Sequence, residues 1–204
     1  MALVLELQKA GETAPKLSLN LAKPARFSVE LFWDSPHDLD AHAFLTHNPG
    51  QGGAKVSSFD HILSTYNAKK TNPNGTLASH ADGSFSTTEG SLTHSGDARS
   101  GMKDDVDEIL TIDGAKIPSG INEIPIFVTI HPSTSATFTS VRNAGIRIKS
   151  DQGAILGEYH LSNQFSSFDA VQMGSLLLGP KGWEYSAIGS GFNGDFNFIL
   201  SHFS

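Results

Sequence analysis

The stretch Ile124–Ile130 (Ile-Pro-Ile-Phe-Val-Thr-Ile) sets the first limit on what this chain can fold into. A short continuous apolar run rich in β-branched residues reads as a central, buried strand. Pro125 has no N–H to donate, so it places the first residues of that strand at an edge or ahead of its hydrogen-bonded part. Further strand-like runs lie at residues 3–8, Arg26–Trp33, Ala41–Leu45, Val56–Tyr66, Glu108–Ile112, Ala144–Lys149, Ala154–Leu161, Ala170–Leu178 and Trp183–Gly189. The tail Phe196–Phe203 reads as one more alternating stretch. Turn-forming residues separate these runs, at His47–Gly53, at Asp151-Gln-Gly153 and at Gly179-Pro-Lys-Gly182. Ser18–Leu21 reads as loop or strand start, Asp113–Gly120 as a turn, and Thr139–Asn143 as a short helix. Many short strands and no helix of ten residues predict an all-β fold, a two-sheet β-sandwich. No linker with a shift in composition appears, so residues 1–204 are expected to form a single domain. Within it, Ala68–Thr93 is rich in Asn, Gly, Ser and Thr and is expected as an enlarged surface loop or loose hairpin anchored by Leu77 and Phe85.

A formal net charge of -7 opposes contact with nucleic acid or anionic membrane surfaces, which basic patches serve, and suits a protein that holds cations. The absence of cysteine removes disulfides, thiolate zinc sites and cysteine nucleophiles. No apolar run approaches the length of a membrane span. The N-terminus has no basic stretch before its apolar residues and meets Glu6 too early for a signal peptide. The expected compartment is the cytoplasm.

Chemistry concentrates in His94–Glu108, where Asp97, Asp104, Asp105, Asp107 and Glu108 share a loop-like segment with Gly96 and Gly101. Carboxylates at this density repel one another unless a cation lies between them. Calcium, which takes six to eight oxygen ligands, is the usual solution; the plain alternative is a solvated acidic loop. Asp38-Leu39-Asp40 lies far upstream and can converge on the same place. Residues two apart on a strand share a face, so Asp38 and Asp40 would present two carboxylates together while Leu39 enters the core; alternatively they close a turn. The segment is not an EF-hand loop. With Asp97 first and Glu108 twelfth, the third, fifth and sixth positions are Arg99, Gly101 and Met102, where that loop needs side-chain oxygens and then glycine. Nine histidines are scattered singly without a His-Glu-x-x-His pair. His94 stands nearest the acidic segment, in a structural or carboxylate-orienting role. No nucleophile elbow, Walker loop or dinucleotide fingerprint occurs, so no enzyme is expected.

These residues, in their order, resemble the TerD family of tellurium-resistance and stress-response proteins. The resemblance runs from Leu7-Gln8-Lys9-x-Gly11 through Trp33-Asp34, Asp38-Leu39-Asp40-Ala41, His94-Ser-Gly-Asp97, Gly101 and Asp107-Glu108. It continues through Pro118, Phe127-Val-Thr-Ile130, Val141-x-Asn143-Ala-x-Ile146-Arg147, Tyr159-x-Leu161-Ser162 and Trp183-x-x-x-Ala187-x-Gly189-x-Gly191. It implies a cytoplasmic, non-enzymatic calcium-binding β-sandwich acting in tellurite or stress resistance or in phage-related defence. It also implies one or two calcium sites drawn from Asp38, Asp40, Asn67, Asp97, Gly101, Asp104, Asp105, Asp107 and Glu108. Departures point to a weakened site: Ala98, Lys103 and Val106 replace an asparagine, a glycine and a carboxylate of the family pattern, and Ala68 replaces the second of its paired asparagines. The alternative is a structural or assembly protein, phage-encoded or virion-associated, that keeps the sandwich, self-associates or holds an unknown protein partner.

Overall fold

The computed structural model describes the backbone of Val4–Glu6 and residues 13–101, 106–133, 135–161 and 163–204. In chain order the strands are β1 (Val4–Glu6), β2 (Lys16–Leu21), β3 (Arg26–Asp34), β4 (Leu39–Phe44), β5 (Thr46–His47), β6 (Lys55–Val56), β7 (Ile62–Leu63) and β8 (Phe85–Ser86). They continue as β9 (Leu92–His94), β10 (Glu108–Asp113), β11 (Glu123–Ile130), β12 (Arg142–Ser150), β13 (Ile155–His160), β14 (Ala170–Gly179), β15 (Gly182–Ser186) and β16 (Ser190–Phe192). A six-residue helix, α1 (Phe196–Ser201), follows them. One sheet has the order β1-β13-β12-β3-β10-β9-β8; the other has the order β2-β15-β14-β11-β4-β7, with β16 on β14 and β5 joining β11 to β6. Strand pairing is antiparallel except where β1 meets β13. Among the described residues, no helix is long and apolar enough to cross a membrane.

Alternation on each strand builds the core between the sheets. Val29 and Leu31 of β3, with Leu110 of β10, share one cluster with Leu39, Ala41 and Ala43 of β4 and with Ile124, Ile126 and Val128 of β11. Every residue of β11 is buried because its opposite face is covered too. Phe127 on that face joins Phe44 and Ala170 in a second cluster, closed by Ile199 and Phe203 of the C-terminal tail. Burying a side chain of this size stabilises by roughly 1.5–3 kcal/mol, so a β-sheet face wrapped by a tail is worth the ordering of that tail.

The structure corrects several readings made from sequence. The tail is helical: Phe196, Ile199, Leu200 and Phe203 recur at helical spacing and face one cluster, and the Asp195 carboxylate accepts the Phe198 N–H at 2.9 Å as N-cap. Lys16–Leu21 is a full strand, β2. Val56–Tyr66 is not one strand. It breaks into β7 flanked by 3-10 turns at Phe59–His61 and Thr65–Asn67, each capped by a serine hydroxyl, Ser58 and Ser64. The short helix is a 3-10 turn at Phe138–Ser140, ahead of β12. Residues 68–93 do form a hairpin with β8 and β9, but Ala68, Leu77, Phe85 and Leu92 pin it into the main core.

Candidate metal site

The site forms where the turn after β3 meets the loop before β10. Trp33 fixes both. Its Nε1–H donates to the His37 carbonyl at 3.0 Å, shaping the turn that delivers Asp38. Gly101 lies flat against the indole and donates its N–H to the Ser35 carbonyl at 3.1 Å. A Cβ at Gly101 would come within 2.3 Å of the Trp33 ring, so only glycine lets the loop approach. The approach brings Asp97 to Asp38 and Asp40, and one carboxylate oxygen from each lies within 4.8 Å of the others. Asp40 sits on β4 opposite Thr129 of β11 and is 1% exposed. Its two oxygens accept from the Thr65 hydroxyl at 2.8 Å and the Tyr66 hydroxyl at 3.1 Å.

Burial pushes the Asp40 carboxyl up to about 7; the neighbouring charges of Glu108, Asp38 and Asp97 add to this, and the Thr65 bond works against it. Asp38 is raised as well, by burial first and by Asp97 next, while His131 and Arg99 pull the other way. A carboxyl raised on folding weakens the folded state as pH climbs from its unfolded pKa through its folded one. For Asp40 that window ends near pH 7. A bound cation removes the penalty, because it inverts the local charge that causes it. The buried Asp38 Oδ1 has no hydrogen-bond partner. Such an orphaned acceptor beside two further carboxylates fits a hard cation with oxygen ligands, calcium above the softer transition metals.

The remaining sequence-predicted ligands divide by task. Glu108 is fully buried; its Oε2 accepts the Ala41 N–H at 2.7 Å and its Oε1 the Ala98 N–H at 3.2 Å. It thereby ties β4 of one sheet to β10 of the other and to the Asp97 loop. His94 supports it: Nδ1 accepts the Gly96 N–H at 3.0 Å, which assigns the ring hydrogen to Nε2, 3.3 Å from Glu108 Oε2. The His94 ring stacks on Phe85 with centroids 4.6 Å apart. Asp107 accepts the Trp33 N–H at 3.0 Å and so continues the β3–β10 ladder with its side chain. The Asn67 amide holds its own loop, donating to the Phe59 and Ile62 carbonyls and accepting the Thr76 N–H. Asp104 and Asp105 lie outside the described residues, as do Lys103, Ser162 and the Leu7–Gly11 match. Thr65, Tyr66 and His131 were not anticipated. Their contacts with Asp38 and Asp40 join positions far apart in sequence, and no spacing marks them.

A sandwich with an acidic triad at this junction can be compared with known proteins. The TerD domain model matches residues 3–203. The chain belongs to the TerD family. The tellurium resistance protein TerD of Serratia marcescens is 30% identical over 201 residues, covering 93% of this chain and 92% of its own. General stress protein 16U of Bacillus subtilis is 35% identical over 108 residues, and YceE of the same organism 38% over 109; each match spans 56% of the relative's length. Among solved structures, a Streptomyces coelicolor homologue of telluride resistance protein superposes with a TM-score of 0.60 at 18% identity, over 86% of this chain and 95% of that one. Ala68 is 1% exposed in the main core. At Ala98 the backbone N–H, not the side chain, serves Glu108.

Proposed function

We propose that this TerD-family chain is a calcium-binding module of a tellurite- or stress-resistance system, cytoplasmic and acting by binding rather than catalysis. The observation that carries the reading is the convergence of Asp38, Asp40 and Asp97 around the partnerless Asp38 Oδ1. Asp38, Asp40 and Asp97 would hold the ion. Calcium supplies no reaction here; its charge relieves the repulsion among these carboxylates. The protein's own residues do the rest. Thr65 and Tyr66 orient the Asp40 carboxylate, Gly101 on Trp33 keeps the Asp97 loop against the turn, and Glu108 fastens that loop to β4. Binding therefore braces the Asp97 loop against β4 and stabilises the fold by mass action. The tellurite and stress role is supported by the relatives named for those phenotypes. Calorimetric titration of the metal-stripped protein tests the binding: a saturable calcium heat is expected, weakened at least about tenfold in Asp38→Asn, in keeping with the loss of one charged ligand. No heat from the wild type refutes it.

A further inference from the structure

The acidic triad occupies one end of a cleft of about 1300 Å³, more room than a single ion needs, since small-molecule pockets run to roughly 300–1000 Å³. The other end is built differently. The Asp169 carboxylate accepts the Gly194 N–H at 3.2 Å, which sets Asp195 beside it at the start of α1. Phe196 comes next and its ring centroid lies 5.2 Å from that of Tyr66; Tyr66 in turn stacks on His131 at 6.2 Å with planes 24° apart. All of these line the same cleft, and Phe196, Tyr66 and His131 are each only half-buried. A floor of partly open aromatic faces thus runs between two acidic ends. Against five lining carboxylates stand one guanidinium, Arg99, already 3.5 Å from Asp97, and His131.

Charge and shape together select the occupant. An anionic ligand would meet repulsion at both ends. A metal ion at the triad leaves the Asp169–Asp195 end negative, and the aromatic faces there attract organic cations. We propose that the cleft between Tyr66 and α1 binds a primary ammonium ion carried on an apolar stem, with the ammonium at Asp169 and Asp195 and the stem along Phe196 and Tyr66. This site lies beyond the calcium reading and does not depend on it.

Spermidine is the probe, titrated calorimetrically into the full chain both stripped of metal and with saturating calcium. Binding is expected in both, weakened about tenfold in Asp169→Asn/Asp195→Asn, the loss of both carboxylate partners of the ammonium. Asparagine keeps the acceptor for Gly194 and remains a good N-cap, so the double variant should melt as the wild type does and bind calcium unchanged. N-acetyl-lysine amide as a second probe separates the two sources of this chemistry: tighter spermidine binding assigns a free polyamine, tighter lysine binding a side chain of a partner protein. Three results would overturn the proposal: no spermidine binding with or without calcium, binding abolished by calcium and by Asp38→Asn, or unchanged affinity in the double variant. The calcium titration of the same samples reports separately on the metal site.

Discussion

Glu108 joins the two sheets at the site through two backbone N–H groups that have no other strand to pair with. β7, the neighbour of β4 on that side, is only two residues long and pairs with Ala43 and Phe44, leaving the Ala41 N–H to the Glu108 carboxylate. Removing that acceptor leaves the buried Ala41 N–H and the half-buried Ala98 N–H without it and uncovers His94. Leaving a buried donor unsatisfied costs about 1–3 kcal/mol each. Glu108→Ala is therefore expected to lower unfolding stability by about 3 kcal/mol in urea, with calcium absent. A loss below about 0.5 kcal/mol, the range of ordinary surface substitutions, would mean the glutamate serves only a metal. The sequence made Glu108 visible as one acid among many. What it hid was that Asp107 and Glu108 spend oxygens on backbone amides of β3 and β4 while Asp38, Asp40 and Asp97 converge on one another. That division is set by contacts across the sandwich, such as Glu108 with Ala41, and local composition carries no trace of them.

At the scale of elements, α1 is the piece that makes β11 buried on both faces. Ile199 is 1% exposed between Phe44, Phe127 and Phe203. Ile199→Ala is expected to destabilise by about 2–4 kcal/mol, the span seen for large-to-small core changes, while calcium affinity stays within about twofold, because Ile199 is not among the residues lining the cleft that holds the carboxylates. Equal stability of variant and wild type in thermal unfolding would show that the tail does not cover the sheet. The sandwich itself was legible from the apolar runs, with β3, β10, β11 and β14 lying close to their predicted places. The tail was misread because Phe196, Phe198 and Phe203 suggest alternation, whereas Ile199 and Leu200 restore the helical period that burial obeys. Val56–Tyr66 departs from a strand for a different reason: Ser58 and Ser64 cap 3-10 turns, and a capping serine between apolar residues is easily taken for the polar half of a strand.

For the whole molecule, the acidic triad lies where three pieces distant in sequence are drawn together: the turn before β4, the Thr65–Asn67 turn and the Asp97 loop before β10. Sheet pairing alone does not join the first and third; the Gly101–Ser35 bond and the Glu108 carboxylate do. With burial holding Asp40 up to about 7, the metal-free molecule carries a built-in penalty at neutral pH that an ion would lift. Calcium at about a hundred times its Kd should then add about 2.7 kcal/mol, which for a chain of this size raises Tm by roughly 5–10 °C. The decisive measurement is the melting temperature of the wild type in calcium against the same protein in chelator, beside Asp38→Asn/Asp40→Asn. The account predicts a rise of that size in the wild type and none in the double variant; identical melting of the wild type with calcium and with chelator would contradict it.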